Sequence, residues 1–307
     1  MPRVLRPAAV RLTARLAASL TALCAVAACG DDGGGATTDA GPADDAADGA
    51  RTLDSCTTSI AADVPEFYQR YFKCVTITKT ATGVAIVTED LPPHLSPYYA
   101  STDPSYTPFD TRGGTHHQNP NRVAAQQITI NVPSAPVASG ATISAATVDG
   151  TAGTSQEEYA LGPVGVALDS VALFTGTAAP GDDIADERFT FDRYEAHPEQ
   201  RGAYHYHAPT PGPLEVLAHE GLVTTTVPGS AEVELYGILC DGTVVLGCKE
   251  LDGSAISGAL DAQGGHVGDL AAGGTTYFAG RYHTHVCGDA RGHAYTPEIH
   301  YYAACVR

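Results

Sequence analysis

Gly202-Ala203-Tyr204-His205-Tyr206-His207 recurs in pattern as Gly280-Arg281-Tyr282-His283-Thr284-His285, each copy reading G-x-Y-H-x-H. An acid stands five residues ahead of a further histidine before each copy, Asp192 before His197 and Asp261 before His266. Further upstream, Gly165-Val166-Ala167-Leu168-Asp169 matches Gly237-Ile238-Leu239-Cys240-Asp241. The landmarks keep their order at offsets of about 72, 69 and 78 residues. Unequal offsets are what loop insertions in a duplicated β unit produce. Six of the 12 histidines sit on these landmarks.

Side chains alternate faces along a strand, so His205 and His207 share one face while Tyr204 and Tyr206 share the other. His283 and His285 do the same, with Tyr282 and Thr284 opposite. Two imidazoles at this spacing can hold one metal ion, at nitrogen–metal distances near ~2.0–2.1 Å for zinc. His197 and His266 each complete a three-nitrogen set. Asp192 and Asp261 serve either as direct ligands or as acids that orient an imidazole from behind, and spacing leaves both roles open. Met1 is the only methionine, so the expected cofactor is zinc or copper(II), which suit imidazole, rather than copper(I), which wants softer ligands.

The rest of the chain predicts an all-β fold, a β-sandwich or pseudo-symmetric β-barrel built from two related halves with few short helices. Short β-branched runs between Gly and Pro signals mark strands at 74–80, 84–88, 128–132, 141–148, 164–174, 222–227, 231–239, 243–246 and 298–306. Only residues 64–72 read as helical. Residues 53–307 are expected to form a single β-rich domain.

The first 28 residues have the form of an export leader. Arg3, Arg6, Arg11 and Arg15 precede an uncharged apolar run from Leu16 to Ala28, too short to span a bilayer, which needs about 20 residues. Val26-Ala27-Ala28-Cys29 resembles the lipobox of bacterial lipoproteins, in which the cysteine is lipidated. Residues 29–52 are expected to be the lipidated cysteine and a disordered Gly/Asp/Ala tether with a reach of roughly 25 Å. The expected location is the bacterial cell envelope, exported and lipid-anchored on a periplasmic or surface face. The chain has 17 basic residues against 35 acidic ones, for a net charge of −18. This acidity argues against nucleic acid as a partner. The expected partner is the membrane, through the anchor, and no small-molecule or protein partner is specified.

Of eight cysteines, Cys24 lies in the leader and Cys29 at the anchor. The remaining six, an even number in an exported chain, predict three disulfides. Proximity in sequence gives Cys56–Cys74, Cys240–Cys248 and Cys287–Cys305 as the simplest pairing.

At the Tyr204–His207 tetrapeptide the chain resembles the YHYH-domain family of secreted bacterial proteins. The resemblance extends over Asn119-Pro120-Asn121, the strand from Ile128 to Pro133 with Pro136, the Gly165–Leu173 segment, Ala196-His197-Pro198, Cys240-Asp241-Gly242, Gly265-His266 and Tyr282–His285, a span from about Gly83 to the C-terminus. It implies a secreted domain and names no reaction. The second copy departs as Tyr-His-Thr-His, Ala196 replaces a glycine, and Thr243-Val244 replaces a proline and an aromatic residue. All six histidines survive these changes.

Known enzyme patterns are missing. Ala208-Pro209-Thr210 follows His207 and Val286-Cys287 follows His285, where a metallo-hydrolase would place Asp-His. A cupin's glutamate, a G-x-S-x-G element and a phosphate-binding loop are also missing. The reading is an envelope-anchored protein that binds a transition metal. The alternatives are a metal-dependent enzyme of unspecified reaction and a metal-free binding or structural module.

Overall fold

The computed structural model describes residues 49–143, 162–176, 178, 183–287, 295–297, 301–303 and 305. The leader, Cys29, most of the tether and most of the 141–148 and 298–306 segments lie outside the described residues. Among those described, strands dominate and form two sheets. The four-stranded sheet runs in order β1 (Ser59–Ile60), β2 (Thr76–Lys79), β3 (Gly83–Thr88) and β4 (Ile128–Pro133).

The eight-stranded sheet comes from the two repeated halves. The first half supplies β5 (Gly165–Ala167), β6 (Ala172–Leu173), β7 (Ala196–Pro198) and β8 (Tyr204–Tyr206). The second supplies β9 (Leu235–Leu239), β10 (Val244–Leu246), β11 (Gly265–Ala272) and β12 (Thr275–His285). The order is β11-β12-β10-β9-β5-β6-β8-β7, which reads the same from either end once the halves are matched. Pairing senses repeat as well. β5–β6 and β9–β10 are antiparallel, β6–β8 and β10–β12 parallel, and β7–β8 and β11–β12 antiparallel. The two-fold passes through the antiparallel β5–β9 pair, where Val166 faces Ile238. Neither sheet closes on itself, so the barrel alternative gives way to two open sheets.

The repeated glycine that opens each landmark has a packing reason. A Cβ on Gly165 would lie 2.5 Å from the Ile238 carbonyl oxygen, and one on Gly237 would lie 2.3 Å from that of Val166. Only glycine lets the two halves cross this closely. Every residue of β5, β9 and β10 is buried, which accounts for their continuous apolar reading. In β3 and β4 the alternating residues Val84, Ile86, Ile130 and Val132 enter the same core. The small sheet is also tied to the β5–β6 hairpin by polar contacts. Thr88 donates to the Ser170 carbonyl at 2.7 Å, and the Ala172 amide donates to Asp90 at 2.8 Å.

Several boundaries differ from the sequence reading. The 164–174 strand is a hairpin, because Ser170 takes a positive φ of 81° and the Ala167 amide donates back to the Val171 carbonyl. The β11–β12 hairpin turns at Gly273-Gly274, both at positive φ, as a two-residue connection requires. The expected helix appears as α1 (Glu66–Tyr71), which buries Phe67, Tyr68 and Tyr71. A short α2 (Ile184–Glu187) and an unanticipated α3 (Pro211–His219) join it. Thr210 caps α3, its hydroxyl accepting from the Gly212 amide, and Pro211 occupies the first turn, where a missing N–H costs nothing. Residues 222–227 form no strand, since the amide and hydroxyl of Thr224 are both taken by the Glu232 carboxylate.

Six cysteines form three disulfides, Cys56–Cys74, Cys240–Cys305 and Cys248–Cys287. Only the first pair follows sequence proximity. β9 and β10 are antiparallel with Val244 beside Ile238, so Cys240 sits at their turn while Cys248 lies about 20 Å back along the strand direction, at ~3.4 Å per residue. A disulfide needs Cα atoms within about 4.4–6.8 Å. β10 runs parallel to β12 with Leu246 beside His285, and two further residues on each strand bring Cys248 to Cys287, with Cα atoms 5.0 Å apart. Sequence separations of 39 and 65 make each of the two long closures worth about 4 kcal/mol in the chain-entropy model. Three disulfides fit an oxidising, extracytoplasmic compartment. No helix among the described residues is long and apolar enough to cross a membrane.

Candidate metal centres

β7 pairs with β8 so that His197 lies directly opposite His205, and His207 follows on the same face. The three rings are buried, with centroids 4.6–5.6 Å apart. One ligand atom from each lies within 4.8 Å of the others. Hydrogen bonds on the far side select the atoms that face inward. His205 Nδ1 donates to the Ala203 carbonyl at 3.0 Å, and His207 Nδ1 to that of Thr175 at 2.6 Å. His197 Nδ1 lies 2.6 Å from the Thr190 hydroxyl, which donates to the Glu187 carbonyl, and 3.4 Å from Asn119 Nδ2. Nε2 of His205 and of His207 are thereby left as acceptors, and outer hydrogen bonds of this kind orient metal-binding imidazoles. Phe174 stacks on His205 at 3.8 Å and Phe191 on His207 at 5.3 Å, fixing both rings. The buried Nε2 of His207 has no hydrogen-bond partner.

The second half repeats the plan. His266 faces His283 across β11 and β12. His283 Nδ1 donates to the Arg281 carbonyl at 3.1 Å and His285 Nδ1 to that of Gly247 at 2.8 Å. His266 Nε2 and His285 Nε2 lie 3.2 Å apart. Here a carboxylate joins the set. Glu250 lies 3.1 Å from His283 Nε2, 3.3 Å from His266 Nε2 and 3.8 Å from His285 Nε2. The two sets are five strand steps apart in the sheet, on the order of 24 Å at ~4.8 Å per strand. They form two separate centres and do not converge on a shared one.

Burial favours the neutral form of five of these imidazoles. It pushes His197 down to about 3, with His207 nearby adding to the effect, and His207 and His285 down to about 4. His205 and His266 are lowered by the same cause. Burial alone would raise Glu250, but the hydrogen bonds from His283 and the Ser257 amide outweigh it and hold the carboxyl at about 2. Five of the donors are thus held as neutral imidazoles and Glu250 as an ionised carboxylate, protonation states that ligation requires.

Asp192 and Asp261 lie behind the strands, on the tyrosine side. Asp192 Oδ2 accepts from the Tyr204 hydroxyl at 2.8 Å and from Ser96 at 2.7 Å, while Oδ1 accepts from the Tyr194 amide. Asp261 accepts from the Tyr282 hydroxyl at 2.9 Å and from the Gln263 and Gly265 amides. Neither acid is among the groups that converge with the histidines. Each holds the turn that delivers His197 or His266 through tyrosine and backbone hydrogen bonds. The departure from Tyr206 to Thr284 has a local explanation. Tyr206 donates to Asp169 at 2.7 Å and lies 3.0 Å from His94 Nε2, whereas the shorter Thr284 donates to the Gln263 carbonyl. Tyr204→Phe should therefore cost about 1–3 kcal/mol, the range for a lost buried hydrogen bond that strands its partner. Metal content should be unchanged. Chemical denaturation and elemental analysis of the same sample check the two halves of this expectation.

Among the remaining histidines, His94 is buried and stacks on Tyr194, and His219 pairs with Asp54 and Glu220. His117 lines the cleft over the first set, and His293 and His300 lie outside the described residues. Glu250 and Thr190 escaped the sequence reading, because they sit in connections that carry no repeat, and Asn119 entered it only through the family resemblance. Thr190 bonds His197 as above, and Asn119 Nδ2 donates to the Pro198 carbonyl at 3.1 Å, bracing β7.

A family model described as "YHYH protein" matches residues 141–262. The match contains the first histidine set and the Gly237–Asp241 landmark. It ends before His266, short of the C-terminal reach of the resemblance. No curated protein and no solved structure matches the chain. Residues 141–262, which carry the Tyr204–His207 tetrapeptide and the centre of the eight-stranded sheet, thus match the YHYH family model.

Proposed function

We propose that the domain binds two transition-metal ions per chain, one at His197, His205 and His207 and one at Glu250, His266, His283 and His285. The carrying observation is the buried Nε2 of His207, which has no hydrogen-bond partner and faces two further imidazoles. An orphaned acceptor among buried bases is costly in a metal-free structural module, and a cation supplies what it lacks. Zinc and copper(II) suit nitrogen ligands, and copper(II) is expected to bind more tightly than zinc under the usual affinity order.

Lipidation of Cys29 would place this domain at the envelope, on a tether long enough to clear lipid headgroups. Buffering or delivery of metal there fits a centre built from rigid strands. Three disulfides and the acidic composition support an exported setting. The test is elemental analysis with native mass spectrometry on protein expressed in the periplasm and purified without chelators. Two equivalents of zinc or copper support the reading. A protein that takes up neither at micromolar supply contradicts it and leaves the structural alternative. Processing at Cys29 is tested separately by palmitate labelling of the full chain and of Cys29→Ser.

A further inference from the structure

The two histidine sets differ at their fourth corner. In the second set Glu250 fills it, within 3.1–3.8 Å of all three Nε2 atoms. Among the described residues, the groups that converge in the first set are three histidines and no carboxylate. Glu187 stands at the rim, 3.5 Å from His197 Nε2. The same three histidines line a cleft of about 990 Å³, bounded by Asn119, Phe174, Glu187 and Glu199 among others. That volume lies at the upper end of the range for small-molecule sites, roughly 300–1,000 Å³.

Taking both sets as metal centres, as above, we infer that the first is an open centre whose metal takes a neutral nitrogen donor from an outside molecule, while Glu250 closes the second. The general chemistry is that four protein ligands make a closed site, whereas three leave a position for water or substrate. The donor class follows from the rim. Among the described residues, Asp183, Asp186, Glu187 and Glu199 line the cleft with Arg201 as the one arginine. This negative field opposes an anionic ligand. A neutral imidazole or amine nitrogen, of the kind a peptide presents, carries no such penalty. The first centre is then the one that exchanges metal or engages a substrate, and the second is the one that retains its ion.

The test uses copper(II) as the metal and ¹⁵N-imidazole as the probe. His283→Ala with His285→Ala keeps the first centre, and His205→Ala with His207→Ala keeps the second. Imidazole should raise the nitrogen count of the first centre from three to four by electron paramagnetic resonance, saturating at one equivalent. It should leave the second centre unchanged. Adding Glu250→Ala to the protein that keeps the second centre should confer the same response. In the unaltered protein loaded with two coppers, half of the signal should respond, which keeps the test available if a variant fails to fold. A first centre that binds copper yet ignores imidazole overturns the inference. So does an equal response from the second centre with Glu250 intact. A protein that binds no copper at either centre overturns the metal reading itself, and the stoichiometry measured before imidazole is added tells the two failures apart.

Discussion

Replacing His205 and His207 together by alanine is expected to lower the metal content from two ions per chain to one, with the domain still folded. His205 on β8 and His207 just past its end are both buried and supply two of the three nitrogens of the first set, so His197 alone remains there. The second set lies on β11, β12 and the turn carrying Glu250, on the order of 24 Å away by strand count. It shares no ligand with the first. The substitution also removes the imidazole hydrogen bonds to the Ala203 and Thr175 carbonyls, at about 0.5–1.5 kcal/mol each. The disulfide-closed loops of Cys240–Cys305 and Cys248–Cys287 constrain the unfolded chain in the variant as in the parent. Native mass spectrometry and circular dichroism on one preparation read both outcomes. Two ions still bound to a folded variant would contradict the ligand assignment.

Metal should also survive acid further than ordinary imidazoles allow. An unperturbed histidine titrates near ~6.5, and the spacing alone therefore predicts release as pH falls from about 7 to about 5. Burial moves this window. With His197 at about 3 and His207 and His285 at about 4, protons do not compete in the folded protein until the pH nears those values. Half-release is accordingly expected below about pH 5. The sign for folding is the reverse of a salt-bridged histidine. Folded values lie under the unfolded one, so the unfolded chain takes up protons first. The metal-free fold then loses stability as pH falls through ~6.5 toward about 3–4. Asp192 and Asp169 act oppositely. Burial holds them at about 6 and about 7, so their contribution is full below ~3.9 and is lost as pH rises through those values. Melting temperature mixes the two trends. Metal retained after dialysis at stepped pH does not, and half-release at or above pH 6 from a folded protein would contradict the buried, neutral assignment.

Much of the candidate site was legible because strand periodicity is rigid. Histidines two apart must share a face, and an acid five residues before a third histidine marks the turn that returns it. The register of His197 with His205 and of His266 with His283 follows that logic. The duplicated landmarks likewise announced a sheet that reads the same from both ends. Glu250 was not legible, since it enters from a connection in the second half alone. The cystine partners of Cys240 and Cys248 were hidden for a related reason. Proximity in sequence misleads across an antiparallel hairpin, whereas the parallel β10–β12 register that joins Cys248 to Cys287 is a tertiary fact. Helix α3 was readable from Thr210-Pro211, a capping residue before a first-turn proline, but its nine residues are too few to show a clear period.

The most direct measurement is anomalous diffraction at the zinc and copper edges from crystals of metal-loaded protein. Two peaks are predicted, one within about 2.0–2.1 Å of Nε2 of His197, His205 and His207. The other should sit at the same distance from Nε2 of His266, His283 and His285, with Glu250 as its fourth ligand. Loaded crystals with no peak at either set, or with peaks on Asp192 and Asp261 instead, would contradict the account.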